Sequence, residues 1–204
     1  MVNSKKIIAS LGVVAGLGVA VLPLTSYAVE GEGVVKVGVE DSLAVTVTAN
    51  YAANVTGGDD YMAVKQGEEK ATLIHTVNVK GTTRHDYALT MHAKDNEKSA
   101  IANNILVHSD VDTAQIAPTA GAASLAKGTW GYKYSTDSSS FSGNWKPVAL
   151  TAATGSLKTA SSTDRTAAYD ENHYVNFGVN AADDQLAGYY EATVVYTATA
   201  ASAL

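Results

Sequence analysis

The stretch Tyr189-Tyr190-Glu191-Ala192-Thr193-Val194-Val195-Tyr196-Thr197-Ala198-Thr199-Ala200, close to the C-terminus, decides the fold. Read with period two, Tyr190, Ala192, Val194, Tyr196 and Ala198 share one face and are all apolar or aromatic. Tyr189, Glu191, Thr193, Val195, Thr197 and Thr199 share the other, which is mostly polar or β-branched. This alternation describes a strand with one face on a core and the other toward water. Upstream, Val175, Phe177 and Val179 alternate with Tyr174, Asn176 and Gly178 in the same manner. Residues 181–188, with Asp183, Asp184 and Gly188, form a polar connection suited to a turn. The pattern predicts a long C-terminal β-hairpin whose inner face the rest of the chain must cover.

The same period recurs upstream. Residues 34–40 and 44–51 alternate around Asp41-Ser42. Residues 71–80 bring Leu73, His75, Val77 and Val79 to one face, and residues 86–94 do so for Tyr87, Leu89, Met91 and Ala93. With a turn at 81–84 between them, these two predict an antiparallel pair. Residues 101–107 read as a short strand, and 129–135 place Trp130, Tyr132 and Tyr134 together. Residues 145–150 and 156–158 are minor strands. No convincing helical period occurs beyond the N-terminal segment. Roughly nine to eleven short strands separated by turns define an all-β chain, an antiparallel β-sandwich of the immunoglobulin-like or Greek-key type.

The N-terminus follows different chemistry. Lys5 and Lys6 precede an apolar run over residues 7–24, and Ser26 and Ala28 supply small residues after it. These are the three parts of a secretory signal peptide, with cleavage expected after Ala28. A retained membrane helix is the competing reading of the same run, but Pro23 and the small-residue exit favour cleavage. The expected organisation is a signal segment at 1–28 and a single domain at 29–204. The product is then secreted to the cell surface or wall and meets the membrane only through the signal segment before cleavage. Of 14 basic residues, removal of Lys5 and Lys6 leaves 12 against 20 acidic ones, a net charge of −8. That surface repels phosphate backbones, which excludes a nucleic-acid partner. Cysteine is absent, so the core must stabilise the exported domain without disulfides.

Catalytic and metal signatures are missing. The five histidines show no close, regular ligand spacing, and Asp59/Asp60, Asp110/Asp112 and Asp183/Asp184 read as turn residues with no EF-hand pattern. No G-x-S-x-G elbow occurs. The expectation is a non-catalytic protein with no cofactor and no metal. Trp130, Tyr132 and Trp145 lie beside Ser- and Gly-rich loops, where binding groups collect, and are candidates for stacking on sugar rings. Tyr87, Leu89 and Tyr196 are further candidates, although their apolar in-phase neighbours also suit a core position. Residues 34–40, with Val35, Val37 and Val39 in phase, suit self-association by strand addition.

Four segments carry a resemblance: Asp86-Tyr87-Ala88-Leu89-Thr90-Met91, Gly128-Thr129-Trp130-Gly131-Tyr132, Tyr174-Val175-Asn176-Phe177-Gly178-Val179-Asn180 and residues 188–199. Over residues 71–200 the chain resembles secreted bacterial surface proteins related to the WxL-domain family. At the family's Trp-x-Leu position this chain has Tyr87-Ala88-Leu89, and Tyr196 stands where the family places a Trp in the last strand. The resemblance implies a β-sandwich attached non-covalently to the cell wall, with peptidoglycan or a surface glycan as partner. The last strand is also similar to that of pilus and spore-coat subunits, which implies a self-assembling structural subunit as the alternative.

Overall fold

The structure, a computed structural model, describes residues 19–21, 28–31, 43–51, 62, 64–82, 85–94, 101–161 and 167–201. Among these, the strands in chain order are β1 (Val19–Val21), β2 (Ala28–Gly31), β3 (Leu43–Tyr51), β4 (Glu69–Gly81), β5 (Tyr87–Ala93), β6 (Leu106–His108), β7 (Gln115–Pro118), β8 (Thr129–Ser135), β9 (Ser156–Lys158), β10 (Tyr169–Asn180), β11 (Tyr190–Glu191) and β12 (Val194–Ala200). They form two sheets, one in the order β1-β2-β12-β5-β9 and the other β11-β6-β7-β8-β10-β4-β3. All described pairings are antiparallel except β7 with β8. The fold is the expected all-β sandwich.

The inner faces follow the period-two pattern. Along β5 burial alternates strictly, with Tyr87, Leu89, Met91 and Ala93 inward. In the facing sheet Val77 and Val79 of β4, Val175 and Phe177 of β10, and Trp130 and Tyr132 of β8 are inward. Cross-strand register aligns Phe177 with Leu73 on one side and with Tyr132 on the other. Aromatic and β-branched cross-strand neighbours of this kind stabilise a sheet beyond their burial.

Three expectations about strand arrangement differ. Residues 173–180 and 188–200 do not form a hairpin: β10 lies between β8 and β4, whereas β12 lies between β2 and β5 in the opposite sheet. The run 188–200 is also broken in two, because β11 pairs with β6 and the chain crosses to the other sheet over Ala192-Thr193. Strands β4 and β5 likewise belong to different sheets. The physical reason is common to all three. Alternation records which face a strand buries, and two apolar faces are buried equally well face to face across a core as side by side.

Smaller differences concern the short strands. Of residues 101–107 only Leu106 and Val107 fall in a strand. Residues 145–150 contribute isolated bridges, Lys146 with Tyr132 and Ala149 with His92. Within the expected signal segment, Val19–Val21 pairs with β2, and 1–18 and 22–27 lie outside the described residues. The expected strand at 34–40 lies outside them as well.

One close approach ties the edge strand to its neighbour. Met91 N–H donates to Gly155 O at 2.8 Å, and a Cβ on Gly155 would lie 1.9 Å from the Met91 carbonyl oxygen. Gly155→Ala is therefore expected to push β9 away from β5 and destabilise the fold by about 1–3 kcal/mol, read from the urea midpoint. An unchanged midpoint would contradict this packing.

Candidate functional site

The six aromatic or apolar candidates are buried. Trp130, Tyr132 and Trp145 are each 4% exposed, and Tyr87, Leu89 and Tyr196 are more deeply covered still. None of them forms an exposed sugar-stacking surface: Trp130 and Tyr132 sit in phase with an inward face, and Tyr87, Leu89 and Tyr196 take the core position that their apolar neighbours suit. Trp145 is the exception in position. It lies beyond the outer face of β10, where only glycine fits beneath it: a Cβ on Gly178 would come within 2.4 Å of its ring. Lys133 Nζ covers that ring at 4.8 Å. Trp130 is anchored by its indole N–H, which donates to Asn104 O at 2.9 Å.

Toward one end of the core a polar chain runs between the sheets. Tyr134 OH lies 2.6 Å from His173 Nδ1, His173 Nε2 lies 2.5 Å from Tyr87 OH, and Tyr87 OH donates to Glu171 Oε2 at 2.5 Å. The carboxylate only accepts, so the Tyr87 proton points to it and His173 Nε2–H donates to the Tyr87 oxygen. That leaves Nδ1 to accept from Tyr134. Every proton then has an acceptor with the imidazole neutral. Burial first, with Lys158 adding to it against the opposing pull of Glu171 and Asp86, lowers the His173 pKa and keeps it neutral. Burial, reinforced by Glu171, pushes Tyr134 up to about 12.

An ion pair closes the same end. Lys158 Nζ donates to both Asp86 carboxylate oxygens at 2.7 Å and to Tyr87 O at 2.9 Å, and sits 4.0 Å above the Tyr87 ring. Ser161 N–H donates to Asp86 Oδ2 at 2.8 Å. Asp86 is nearly sealed and Lys158 largely so. These groups resemble a proton relay in composition. Tyr87 and His173 are nevertheless 0% and 2% exposed, so the relay's hydrogen bonds are spent on one another.

At the opposite end the sheets part around a cavity of about 750 Å³. Its walls are Leu73 and His75 of β4, Phe177 and Val179 of β10, Trp130 of β8, Ile116 of β7 and Leu106 of β6. The run from Gly188 to Val194, with Tyr196, forms its other side. His75 stands edge-on to Phe177, ring centroids 4.8 Å apart, and its Nδ1 lies 2.9 Å from Tyr196 OH. Burial lowers the His75 pKa to about 4, so the ring is neutral at physiological pH. Of the six candidates, the cavity gathers Trp130 and Tyr196 and leaves out Tyr132, Trp145, Tyr87 and Leu89.

Two residues at this end were not singled out by sequence reasoning. His75 occupies an otherwise apolar inward row, and that phase was the available signal for a polar group inside the core. Tyr189 is 56% exposed at the cavity rim, its signal being an aromatic on the outward phase of the last strand. Among the described residues no group of three or more His, Asp or Glu side chains is placed to hold a metal. Compared with known proteins, the chain matches no family model, no curated protein and no solved structure.

Two predictions follow from these polar groups. Lys158→Met takes the Lys158 ammonium away from the buried Asp86 carboxylate and is expected to lose about 3–5 kcal/mol in urea denaturation. The double variant Asp86→Asn/Lys158→Met should recover most of that loss, and equal losses in both would argue against a coupled pair. For His75, a folded pKa of about 4 lies below the ordinary 6.5, so the unfolded chain binds more protons between those values. Stability is then fully present above pH 6.5 and is lost as pH falls toward 4, by up to ~3 kcal/mol. His173 acts in the same direction. His75→Phe should show a smaller drop than wild type between pH 7.5 and 4.5, and an identical drop would remove His75 from the linkage.

Proposed function

We propose that this chain is an exported, non-catalytic envelope protein of the WxL-like kind that binds peptidoglycan or another wall polymer without a covalent bond. The observation that carries the reading is the open end of the sandwich. There Tyr189, 56% exposed, stands at the rim of a concavity walled by aromatic and aliphatic side chains. An exposed aromatic above an apolar concavity is where a flat sugar face or an apolar polymer segment gains most by leaving water. The internal pairing of Tyr134, His173, Tyr87 and Glu171 favours binding over turnover, since these acid–base groups face one another inside the protein. The contact role passes from the buried Trp130 to the exposed Tyr189.

A specific observation favours the second reading, a self-assembling surface subunit. Strand β2 adds to the C-terminal strand with Ala28 opposite Thr199 and Gly31 opposite Tyr196. Its other neighbour, β1, lies within the segment expected to be removed on export. Cleavage after Ala28 would remove β1 and leave, among the described residues, 29–31 at this edge, open to a strand from a second copy.

Chain recovered from a secreting host, its N-terminus established by mass, is expected to begin at Val29 and to sediment with insoluble peptidoglycan. Tyr189→Ala should retain at least fivefold less protein on the wall with its melting temperature unchanged, whereas Trp130→Ala should be destabilised. Folded protein that stays in the supernatant overturns wall binding. Concentration-dependent oligomers in the same supernatant would then support the subunit reading.

A further inference from the structure

The cavity beneath Tyr189 has a chemistry of its own. At about 750 Å³ it lies within the ~300–1,000 Å³ of small-molecule sites. Leu73, Leu106, Ile116, Phe177 and Val179 give it an aliphatic and aromatic wall. Filling such a space with hydrocarbon is favourable by about 25 cal/mol for each Å² of apolar surface withdrawn from water.

The polar feature inside it is directional. Tyr196 is fully buried, and among the described residues its hydroxyl has His75 Nδ1 as its hydrogen-bond partner. Were Nδ1–H the donor, the tyrosine proton would point at nothing. The hydroxyl therefore donates to Nδ1, and the neutral ring carries its own proton on Nε2. Among the described residues Nε2–H has no acceptor, and the His75 ring lines the cavity. The ring thus offers the cavity one N–H donor and no charge. Among the described lining residues the ionised side chain is Glu191, an exposed residue, and its carboxylate disfavours an anionic head group.

We infer that the cavity between the sheets binds a single aliphatic chain bearing an uncharged oxygen acceptor, an alcohol, ester or amide, which His75 recognises through Nε2–H. The occupant is a lipid-like small molecule. The inference does not rest on wall binding: protein that leaves peptidoglycan untouched yet takes up the chain retains this site and loses the function proposed above.

The test uses the purified full chain, Trp145→Phe included so that Trp130 is the remaining tryptophan. Titration with 12-bromo-1-dodecanol should quench Trp130 saturably at one equivalent, because the brominated chain lies against its ring. Unbrominated 1-dodecanol should reverse the quenching, and dodecanoate at pH 8 should need at least a fivefold higher concentration to do so. His75→Phe should weaken 1-dodecanol by about tenfold while leaving N-phenyl-1-naphthylamine, an uncharged dye without an oxygen acceptor, within twofold of its wild-type affinity. Absence of saturable quenching in the folded chain overturns the site. Dodecanoate competing as well as the alcohol, or an apolar peptide displacing the dye where 1-dodecanol does not, overturns the ligand class. Should His75→Phe fail to fold, the alcohol-to-carboxylate comparison on the unaltered histidine decides the matter.

Discussion

Among the described residues, tyrosine–histidine hydrogen bonds cross the interior from sheet to sheet at two places, and the rest of the arrangement depends on them. Tyr87 of β5 reaches His173 of β10 at one end, and Tyr196 of β12 reaches His75 of β4 nearer the other. Apolar faces alone attract without direction and would tolerate sliding of one sheet over the other. A buried hydroxyl facing a buried imidazole does not tolerate it, because each unmade bond leaves a desolvated polar group at a cost of about 1–3 kcal/mol. The two tyrosine–histidine contacts therefore hold the sheets in one register.

That register divides the core into two regions of different character. Around His173 the polar groups satisfy one another, and the Asp86–Lys158 pair closes the end through Tyr87 and Ser161. Around His75 one ring nitrogen has a partner among the described residues, and the sheets separate into a cavity. The same residue pair, tyrosine with histidine, thus joins a closed polar cluster at one end and lines a cavity at the other. The difference lies in the second partner: His173 has Tyr134 on its remaining nitrogen, and His75 has open space beside it.

The cavity's position follows from how the chain changes sheets. The stretch from Tyr190 to Ala200 begins in one sheet as β11 and ends in the other as β12, crossing over Ala192-Thr193. A strand that switches sheets makes a corner of the sandwich. Here the corner holds the two sheets apart on the side of Tyr189, which keeps an aromatic at the surface and an apolar space beneath it.

Period two determined much of this protein from sequence alone: the all-β class, and the inward residues of β4, β5, β8 and β10. These follow from local alternation, since a residue's face depends only on its neighbours along the strand. The choice of partner did not follow. Residues 173–180 and 188–200 look like the arms of a hairpin, yet they lie in opposite sheets, because burying an apolar face does not specify whether the covering element lies beside it or across from it. The candidate site was legible to the same extent. Trp130 and Tyr196 were recognisable as aromatics of consequence, but alternation cannot tell a ring that faces solvent from one that faces a cavity. Only the tertiary structure placed His75 next to Tyr196, 121 positions away, and made it part of a cavity wall. That contact is set by the packing of one sheet on another, a distance relation between strands that no stretch of sequence contains.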